Sequence, residues 1–189
     1  MSISTRAPGW TPQRKAILIV SERVRQIAWV VASCVCLLVL DQVTKMLIVS
    51  SIPENSVTFE GREQAFFFLT HQRNTGLVGG TFHDTPWVAY VAPVLATFVL
   101  AYLFTHLHKS SRLQALAYGL VAGGAIGNLI DRFFRGSVVD FLQVNFYFIP
   151  FDFPWKRYPA FNIADSGICV GVFLLIVTWY WLERRSNVS

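Results

Sequence analysis

The chain has 189 residues, of which 53% are hydrophobic and 14% are charged, and its mean hydropathy is +0.46. This composition excludes an ordinary soluble domain, in which about 25% of the residues are charged. The net charge of +5 does not indicate nucleic-acid binding, because the basic residues flank apolar runs and do not form one face. We therefore expect no nucleic-acid partner.

Four apolar runs are long enough to cross a bilayer, which takes about 20 residues in a helix. These runs lie at about 27–49, 87–105, 113–130 and 163–182. The sequence predicts an all-α membrane protein with four transmembrane helices, formed as a single integral-membrane domain over 1–189. Residues 1–26 are predicted to form a cytoplasmic tail. The first run is too long for a cleavable signal peptide and is expected to be an anchor.

The distribution of positive charge predicts the orientation in the membrane. Nine of the sixteen Lys and Arg residues lie on the side of the two termini, and the cluster before the first span dominates. Both termini are therefore predicted in the cytoplasm. The long connections 50–86 and 131–162 are then predicted outside.

These outer connections carry signals for a small sheet and an interfacial segment. The aromatic run Ala65–Thr70 is typical of a short strand, and the glycines that follow it indicate a turn. We expect a small extracytoplasmic β-sheet there. The second connection, rich in aromatic residues and proline over 149–161, is expected to lie in the membrane interface as a helix or loop that contacts lipids. Asn162 is a plausible N-cap for the fourth helix.

The third span contains a stripe of small residues that allows another helix to approach closely. The glycines of this stripe are Gly119, Gly123, Gly124 and Gly127. A phosphate-binding loop is less plausible, because the sequence has no GK[ST] motif and no strand is expected before the stripe.

Acids and amides near the outer membrane edge are the most informative polar residues, because burying a charge near hydrocarbon is costly. They are Asp41, Asn128, Asp131, Asp140, Asn162 and Asp165. Asn128 and Asp131 are three residues apart, and so are Asn162 and Asp165. On a helix this spacing places both members of a pair on the same face. For Asp41 with Lys45, and for Asp131 with Arg132, an ion pair that fixes a helix is favoured over catalysis.

Asp140 and Asp165 have no adjacent cation in sequence. If the fold brings them together, one proton is shared between the two carboxyl groups, as in aspartic proteases. One group then activates water while the other protonates the carbonyl oxygen or leaving amine. Asn128 and Asn162 could orient these groups or hold the substrate backbone, and Arg132 could hold the rim of the site.

Other chemistries lack their motifs. No HExxH, GxSxG, Walker or dinucleotide motif is present, and the four histidines fall on both sides of the membrane, so we expect neither a metal nor a cofactor. The three cysteines lie within spans and are expected to pack as small apolar residues. The GxGD motif of another membrane aspartic protease family is absent.

Several sequence blocks, in this order along 27–182, resemble those of the lipoprotein signal peptidase family, also called signal peptidase II. They are Asp41-Gln42-Val43-Thr44-Lys45, Asn74-Thr75-Gly76, Gly124-x-x-Gly127-Asn128-x-x-Asp131-Arg132, Gly136-x-Val138-Val139-Asp140-Phe141 and Phe161-Asn162-Ile163-Ala164-Asp165.

The resemblance implies a bacterial inner-membrane aspartic endopeptidase with Asp140 and Asp165 as the catalytic dyad. It implies supporting or substrate-binding roles for Asp41, Lys45, Asn74, Gly76, Asn128, Asp131, Arg132 and Asn162. The implied substrates are prolipoproteins that carry diacylglycerol on a cysteine and are cut just before it. The active site is then expected at the periplasmic face, in a monomer.

The sequence departs from the family pattern at Leu77-Val78-Gly79-Gly80, where the family usually has a small residue and an aromatic residue. This departure predicts a changed pocket wall, and with it a changed substrate range or inhibitor sensitivity. Two alternatives stay open: a paralogue that binds lipoprotein precursors without cleaving them, and a small transporter that relays protons or ions. The transporter would require acids through the membrane depth and an internal repeat.

Overall fold

A computed structural model describes residues 12–58, 65–76, 111–153 and 156–186, with four further helical positions between 91 and 102. In chain order, the elements are α1 (Pro12–Ser51), β1 (Phe67–Asn74), α2 (Arg112–Arg135), β2 (Val138–Val144) and α3 (Ile163–Ser186). The described part of the protein is therefore mostly helical and carries one small sheet.

Three helices in the described residues are long and apolar enough to cross a membrane: Val20–Ser51, Arg112–Arg135 and Ile163–Trp181. They coincide with the first, third and fourth predicted spans. α1 starts at Pro12, so the helix includes part of the predicted tail 1–26. The apolar pattern identifies the membrane-embedded stretch and misses this extension, because polar residues can continue a helix into water.

The predicted second span, 87–105, falls almost wholly outside the described residues. The positions described within it, all helical and exposed, are Val91, Leu95, Phe98 and Tyr102. A fourth transmembrane helix is therefore still a prediction. The divergent segment 77–80 also lies outside the described residues.

The helices pack through the small residues of α2. A Cβ atom on Gly119 would lie 1.8 Å from Ser33 Oγ of α1, and one on Gly124 would lie 2.4 Å from the Ala164 carbonyl oxygen of α3. Ser33 Oγ also donates a hydrogen bond to the Leu116 carbonyl oxygen at 3.2 Å. The glycines therefore allow both α1 and α3 to approach α2 closely, as the small-residue stripe predicts.

The sheet has two antiparallel strands, β1 and β2. β1 begins two residues later and ends later than the predicted strand Ala65–Thr70. β2 lies in the second connection, 131–162, where the residue pattern does not predict a strand. A sharp end to α2 makes β2 possible, because Gly136 adopts a left-handed conformation with φ of 75° and donates to the Arg132 carbonyl oxygen.

The pairing of the two strands is interrupted once. Leu69 pairs with Leu142 and Gln72 pairs with Asp140, so two residues of β1, Thr70 and His71, lie opposite one residue of β2. This is a β-bulge.

A small apolar core joins the sheet to the end of α1. Ile48 and Ile52 pack there against Val139 and Phe141 of β2. The described residues of 145–162 form turns and isolated bridges, in agreement with the loop form of the predicted interfacial segment. Phe66, Phe146 and Phe148 form edge-on or tilted ring contacts at the end of the sheet where Phe67 pairs with Val144. Two further described rings, Phe151 and Phe153, continue this cluster.

Candidate functional site

Asp165 is held at the start of α3 by a reciprocal capping arrangement with Asn162. The Asp165 backbone N–H donates to Asn162 Oδ1 at 2.9 Å, and the Asn162 backbone N–H donates to Asp165 Oδ2 at 3.2 Å. This geometry is that of a capping box, with Asn162 as the predicted N-cap. The Asn-x-x-Asp spacing therefore fixes the Asp165 carboxylate at the first turn of the helix.

Asp140 reaches the same site from β2. Asn74 Nδ2 donates to Asp140 Oδ2 at 3.0 Å, and Asn162 Nδ2 donates to Asp140 Oδ1 at 2.8 Å. Asn162 therefore contacts both acids, Asp140 through its side-chain amide and Asp165 through its backbone N–H. This single residue couples the strand to the helix.

Asn74 is itself fixed by the turn that follows β1. Its Oδ1 accepts a hydrogen bond from the Gly76 N–H at 3.0 Å, so the Nδ2 atom is directed at Asp140. The Gly76 carbonyl oxygen accepts from Arg132 Nη2 at 2.8 Å. Arg132 thus ties this turn to α2.

Asn128 completes the link between the two acids. Its Nδ2 donates to Asp165 Oδ1 at 2.8 Å, while its Oδ1 accepts from Asn162 Nδ2 at 3.1 Å and from Lys45 Nζ at 2.9 Å. The two donors at Oδ1 determine which way the amide points. Every oxygen of the Asp140 and Asp165 carboxyl groups consequently accepts a hydrogen bond from a fixed donor.

Behind these amides lies a fully buried ionic cluster. Lys45 Nζ lies 2.9 Å from Asp41 Oδ2 and 2.9 Å from Asp131 Oδ2, and all three side chains have zero exposure. Asp41 Oδ1 accepts from the Ala164 N–H at 2.9 Å, and Asp131 Oδ2 accepts from the Val139 N–H at 3.1 Å. The cluster therefore positions α3 and β2, the elements that carry Asp165 and Asp140.

The environment of Asp140 favours its protonated form. Burial and the nearby negative charge of Asp165 raise the pKa of Asp140 to about 7, although hydrogen bonds from Asn74 and Asn162 and the positive charge of Lys45 act in the opposite direction. Two carboxyl groups, one of which retains a proton near neutral pH, form a site that can donate and accept a proton at once.

All ten residues predicted for the site belong to one connected network. One expected contact differs from the prediction. Among the described residues, Asp131 forms ion pairs with Lys45 and Arg135 and not with Arg132. Arg132 Nη1 instead donates to the Asn128 carbonyl oxygen. The expected pair is wrong because adjacent residues of a helix do not face each other, whereas residues four apart do.

Gln42 and Arg135 are parts of the network that the sequence reading did not assign. Gln42 Nε2 donates to Asp41 Oδ2 at 3.1 Å and to Asp131 Oδ1 at 3.3 Å, and Arg135 Nη1 donates to Gln42 Oε1 at 3.1 Å. The spacing between Asp131 and Arg135 was the available signal for Arg135. No local pattern identified Gln42, because its partners lie mainly on another helix.

Comparison with known proteins gives consistent matches. A family model described as Signal peptidase (SPase) II matches residues 33–181 of the chain. The lipoprotein signal peptidase of Bacillus pumilus is 38% identical over 152 residues, which cover 79% of this chain and 91% of that protein. The lipoprotein signal peptidase of Halalkalibacterium halodurans is 37% identical over 153 residues, with coverage of 80% and 91%.

Solved structures show the same likeness at the level of the fold. A bacterial membrane enzyme determined by the in meso method at 2.3 Å resolution superposes with a TM-score of 0.68 and 30% identity, over 85% of this chain and 91% of that one. A second, determined at 1.9 Å resolution, gives a TM-score of 0.64 and 30% identity, over 79% and 91%.

Proposed function

The chain belongs to the signal peptidase II family, whose members remove signal peptides from prolipoproteins, and we propose that Asp140 and Asp165 are its catalytic pair. The observation that carries this assignment is the amide network joining them. Asn162 donates to Asp140 and to Asp165, and Asn128 donates to Asp165 and accepts from Asn162. Asp41 is paired with Lys45, and Asp131 is paired with Lys45 and Arg135, so Asp140 and Asp165 are the two acids of this network that have no ion-pair partner among the described residues.

The proposed reaction begins with one proton on the pair, held by Asp140. Asp165 accepts a proton from a water molecule as the water oxygen attacks the scissile carbonyl carbon, and Asp140 donates its proton to the carbonyl oxygen. The resulting tetrahedral diol collapses when Asp165 returns its proton to the leaving nitrogen and Asp140 removes one from a diol hydroxyl. The carbon–nitrogen bond breaks, and the pair regains its starting protonation state.

Supporting residues act by holding these two acids in place. Asn74 with Gly76, and Asn128 with Asn162, direct amide donors at the carboxyl oxygens, and Arg132 holds the turn after β1. Because the donors are already fixed, little reorganisation is needed when charge moves during the reaction. Asp41, Lys45 and Asp131 stabilise the helix and strand from which the acids project.

We propose that the substrate is a prolipoprotein carrying diacylglycerol on the cysteine that follows the cleaved bond. The acyl chains place such a peptide in the bilayer, and the exposed rings of Phe66, Phe148 and Phe151 offer an apolar surface at the end of the sheet. The charge distribution supports a multi-pass protein of the bacterial inner membrane with both termini in the cytoplasm. The site then lies at the periplasmic face of a monomer formed by a single domain.

The proposal is tested by cleavage of a prolipoprotein, with and without the diacylglyceryl group, by the purified protein. Wild type is expected to cut the lipidated precursor only, and Asp140→Asn to cut neither form. Asp152→Asn is the matched control, because Asp152 lies on the same connection with a side chain that is 97% exposed, paired only with Lys156 among the described residues. Cleavage by Asp140→Asn, or equal cleavage of the two precursors, would contradict the proposal.

A further inference from the structure

The bulge in β1 decides which side chains face Asp140. Beyond the bulge, Gln72 pairs with Asp140 and Asn74 pairs with Val138. Residues 138 and 140 project from the same face of β2, because side chains alternate along a strand. Asn74 therefore shares a face with Asp140, as its 3.0 Å hydrogen bond requires.

The bulge adds one residue to β1. Without that residue, the pairing register seen before the bulge would continue to the end of β1 at Asn74. Leu69 pairs with Leu142 before the bulge, so the continued register would place His71 opposite Asp140 and Arg73 opposite Val138. A shift of one residue moves every side chain to the other face. Asn74 would then point away from Asp140, and the cation of Arg73 would replace it.

The bulge is held by the segment that follows α1. His71 N–H donates to the Ser56 carbonyl oxygen at 3.1 Å, and the Asn55 N–H donates to the His71 carbonyl oxygen at 2.8 Å. Thr70 Oγ1 donates to the Ser56 carbonyl oxygen at 2.9 Å. Both residues of the bulge are thus fixed from outside the sheet.

The side chain of His71 provides the deepest of these contacts. It is 3% exposed, and its Nδ1 lies 2.8 Å from the carbonyl oxygen of Ile52, the residue directly after α1. A carbonyl oxygen only accepts hydrogen bonds, so Nδ1 carries the proton. Among the described residues, Nε2 has no hydrogen-bond partner. The ring therefore serves as a single donor that joins the bulge to the end of α1.

We propose that His71 is a positioning residue for the peptidase reaction: its contact with the end of α1 holds the bulge that keeps Asn74 on the face of Asp140. The inference rests on the proposed function of Asp140. His71 lies away from the reacting groups and acts through Asn74. Its loss therefore affects the rate of the chemical step more than the binding of the precursor.

The first test compares two substitutions of His71 that differ in one donor. His71→Leu removes the donor, and kcat is expected to fall about 10- to 100-fold with KM nearly unchanged, because a small misplacement of a reacting group has effects of this size. His71→Asn keeps a donor near the position of Nδ1 and is expected to recover most of kcat. Thr58→Val is the control, because Thr58 Oγ1 bonds to the Leu69 carbonyl oxygen before the bulge and its loss leaves the later register intact.

The second test separates positioning from general stability. In an Asn74→Ala background, His71→Leu is expected to cause no further loss of kcat, since the group it positions is already absent. Additive losses, or a wild-type kcat for His71→Leu alone, would overturn the inference. If His71→Leu does not fold, Thr70→Val replaces it in both comparisons and carries the same expectations, because it removes one contact of the same bulge.

A third measurement does not depend on cleavage. The hydrogen bond from Asn74 lowers the pKa of Asp140, while Asn162, Lys45 and Asp165 also act on that group and are unchanged in the variants. A titration of the Asp140 carboxyl carbon by NMR is therefore expected to show a shifted pKa in His71→Leu, raised by loss of the Asn74 hydrogen bond or lowered by approach of the Arg73 cation, and an unchanged pKa in Thr58→Val. An unchanged pKa in His71→Leu would overturn the inference. If the proposed function itself is wrong, the wild-type protein will not cleave the lipidated precursor, and this result is distinct from the outcomes for His71.

Discussion

Asp140 and Asp165 enter the site from different elements and are held by different means. Asp165 is positioned by its local capping interaction with Asn162 at the start of α3. Asp140 instead depends on Asn74 and Asn162, which lie far from it in sequence. A like charge and a buried site act together on Asp140, so one proton stays on the pair near neutral pH. The pH dependence of the reaction follows from this arrangement.

We expect kcat/KM to fall as the pH rises through about 7, because the pair then loses the proton that Asp140 donates to the substrate. The measurement is the initial rate of cleavage at low precursor concentration between pH 5 and 9. An Asn74→Ala variant is expected to shift this fall to higher pH, since it loses a hydrogen bond that lowers the pKa of Asp140. A rate that is constant through this range would contradict the assignment of the proton to Asp140.

Two Lys–Asp pairs with the same spacing show how strongly burial changes the effect of an ion pair. Lys45 and Asp41 are fully buried, whereas Lys156 pairs with an exposed Asp152. Lys45→Met leaves buried carboxylates without their shared cation and is expected to cost about 3–5 kcal/mol of unfolding free energy. Lys156→Met is expected to change it by less than about 0.5 kcal/mol.

Unfolding of both Lys variants in detergent micelles, followed by circular dichroism against denaturant, measures this difference. Equal midpoints for the two variants would show that the buried cluster does not stabilise the fold.

Most residues of the connected network could be predicted from the sequence, because they occur in short, ordered blocks. It could not identify Gln42, whose partners are brought to it by the packing of α2 against α1. The four-residue spacing between Asp131 and Arg135 is the sequence signal for their ion pair, whereas the adjacent Arg132 does not face Asp131 on a helix. The resemblance to a family supplied the pairing of Asp140 with Asp165, which sequence spacing alone left open.

At the scale of elements, the small residues of α2 decide how closely the helices approach. Gly119 faces α1 so tightly that an added Cβ would lie 1.8 Å from Ser33 Oγ and 2.3 Å from the Val30 carbonyl oxygen. The Val30 carbonyl oxygen belongs to the backbone and cannot move aside as the Ser33 side chain can. The interface therefore depends on glycine at this position.

Gly119→Ala is expected to destabilise the protein by about 1–3 kcal/mol, the usual effect of overpacking. Ser33→Ala, which removes a hydrogen bond between helices, is expected to cost only about 0.6 kcal/mol. The double variant should stay close to Gly119→Ala, because the Val30 carbonyl oxygen still blocks the added methyl group. Thermal unfolding midpoints in micelles test this order, and a Gly119→Ala variant as stable as wild type would contradict it.

The sheet was harder to predict than the helices. The aromatic run indicated β1, but the sequence of β2 also fits an interfacial segment, since its alternation is short and both of its faces are largely buried. The bulge at Thr70 and His71 has no local signature at all. It results from contacts with the segment after α1, and such non-local contacts do not appear in a residue pattern.

At the scale of the whole molecule, the site lies where three of the described helices and the sheet meet. Burial of the Asp140 carboxyl group there affects the stability of the fold. The folded protein raises the pKa of Asp140 from an ordinary value of 3.8 to about 7. A raised pKa means that the folded state favours the protonated form. Stability from this group is therefore fully present below about pH 4 and is lost as the pH rises through about 7.

Asp140→Asn cannot ionise and is expected to unfold at a higher temperature than wild type at pH 8, while it is inactive. The expected gain is at most about 4 kcal/mol, from about three pKa units at 1.36 kcal/mol each. The gain should shrink toward pH 5, where wild-type Asp140 is protonated. Thermal unfolding of both proteins at the two pH values provides the comparison, and Asp152→Asn should match wild type at both. The Nδ2 atom of the new Asn cannot accept the hydrogen bond that Asn74 or Asn162 donates, and this lowers the stability of the variant equally at both pH values. A stability difference between variant and wild type that does not rise from pH 5 to pH 8 would contradict the raised pKa.

The most direct test of the central claim, that Asp140 and Asp165 act as one unit, is the cleavage rate of three variants on a lipidated precursor. They are Asp140→Asn, Asp165→Asn and the double variant. If the pair shares one proton and one water, each single substitution abolishes the same step, so the double variant is expected to be no slower than either single one. Residual activity in either single variant that falls further in the double variant would show that the two acids contribute independently, and would contradict the claim.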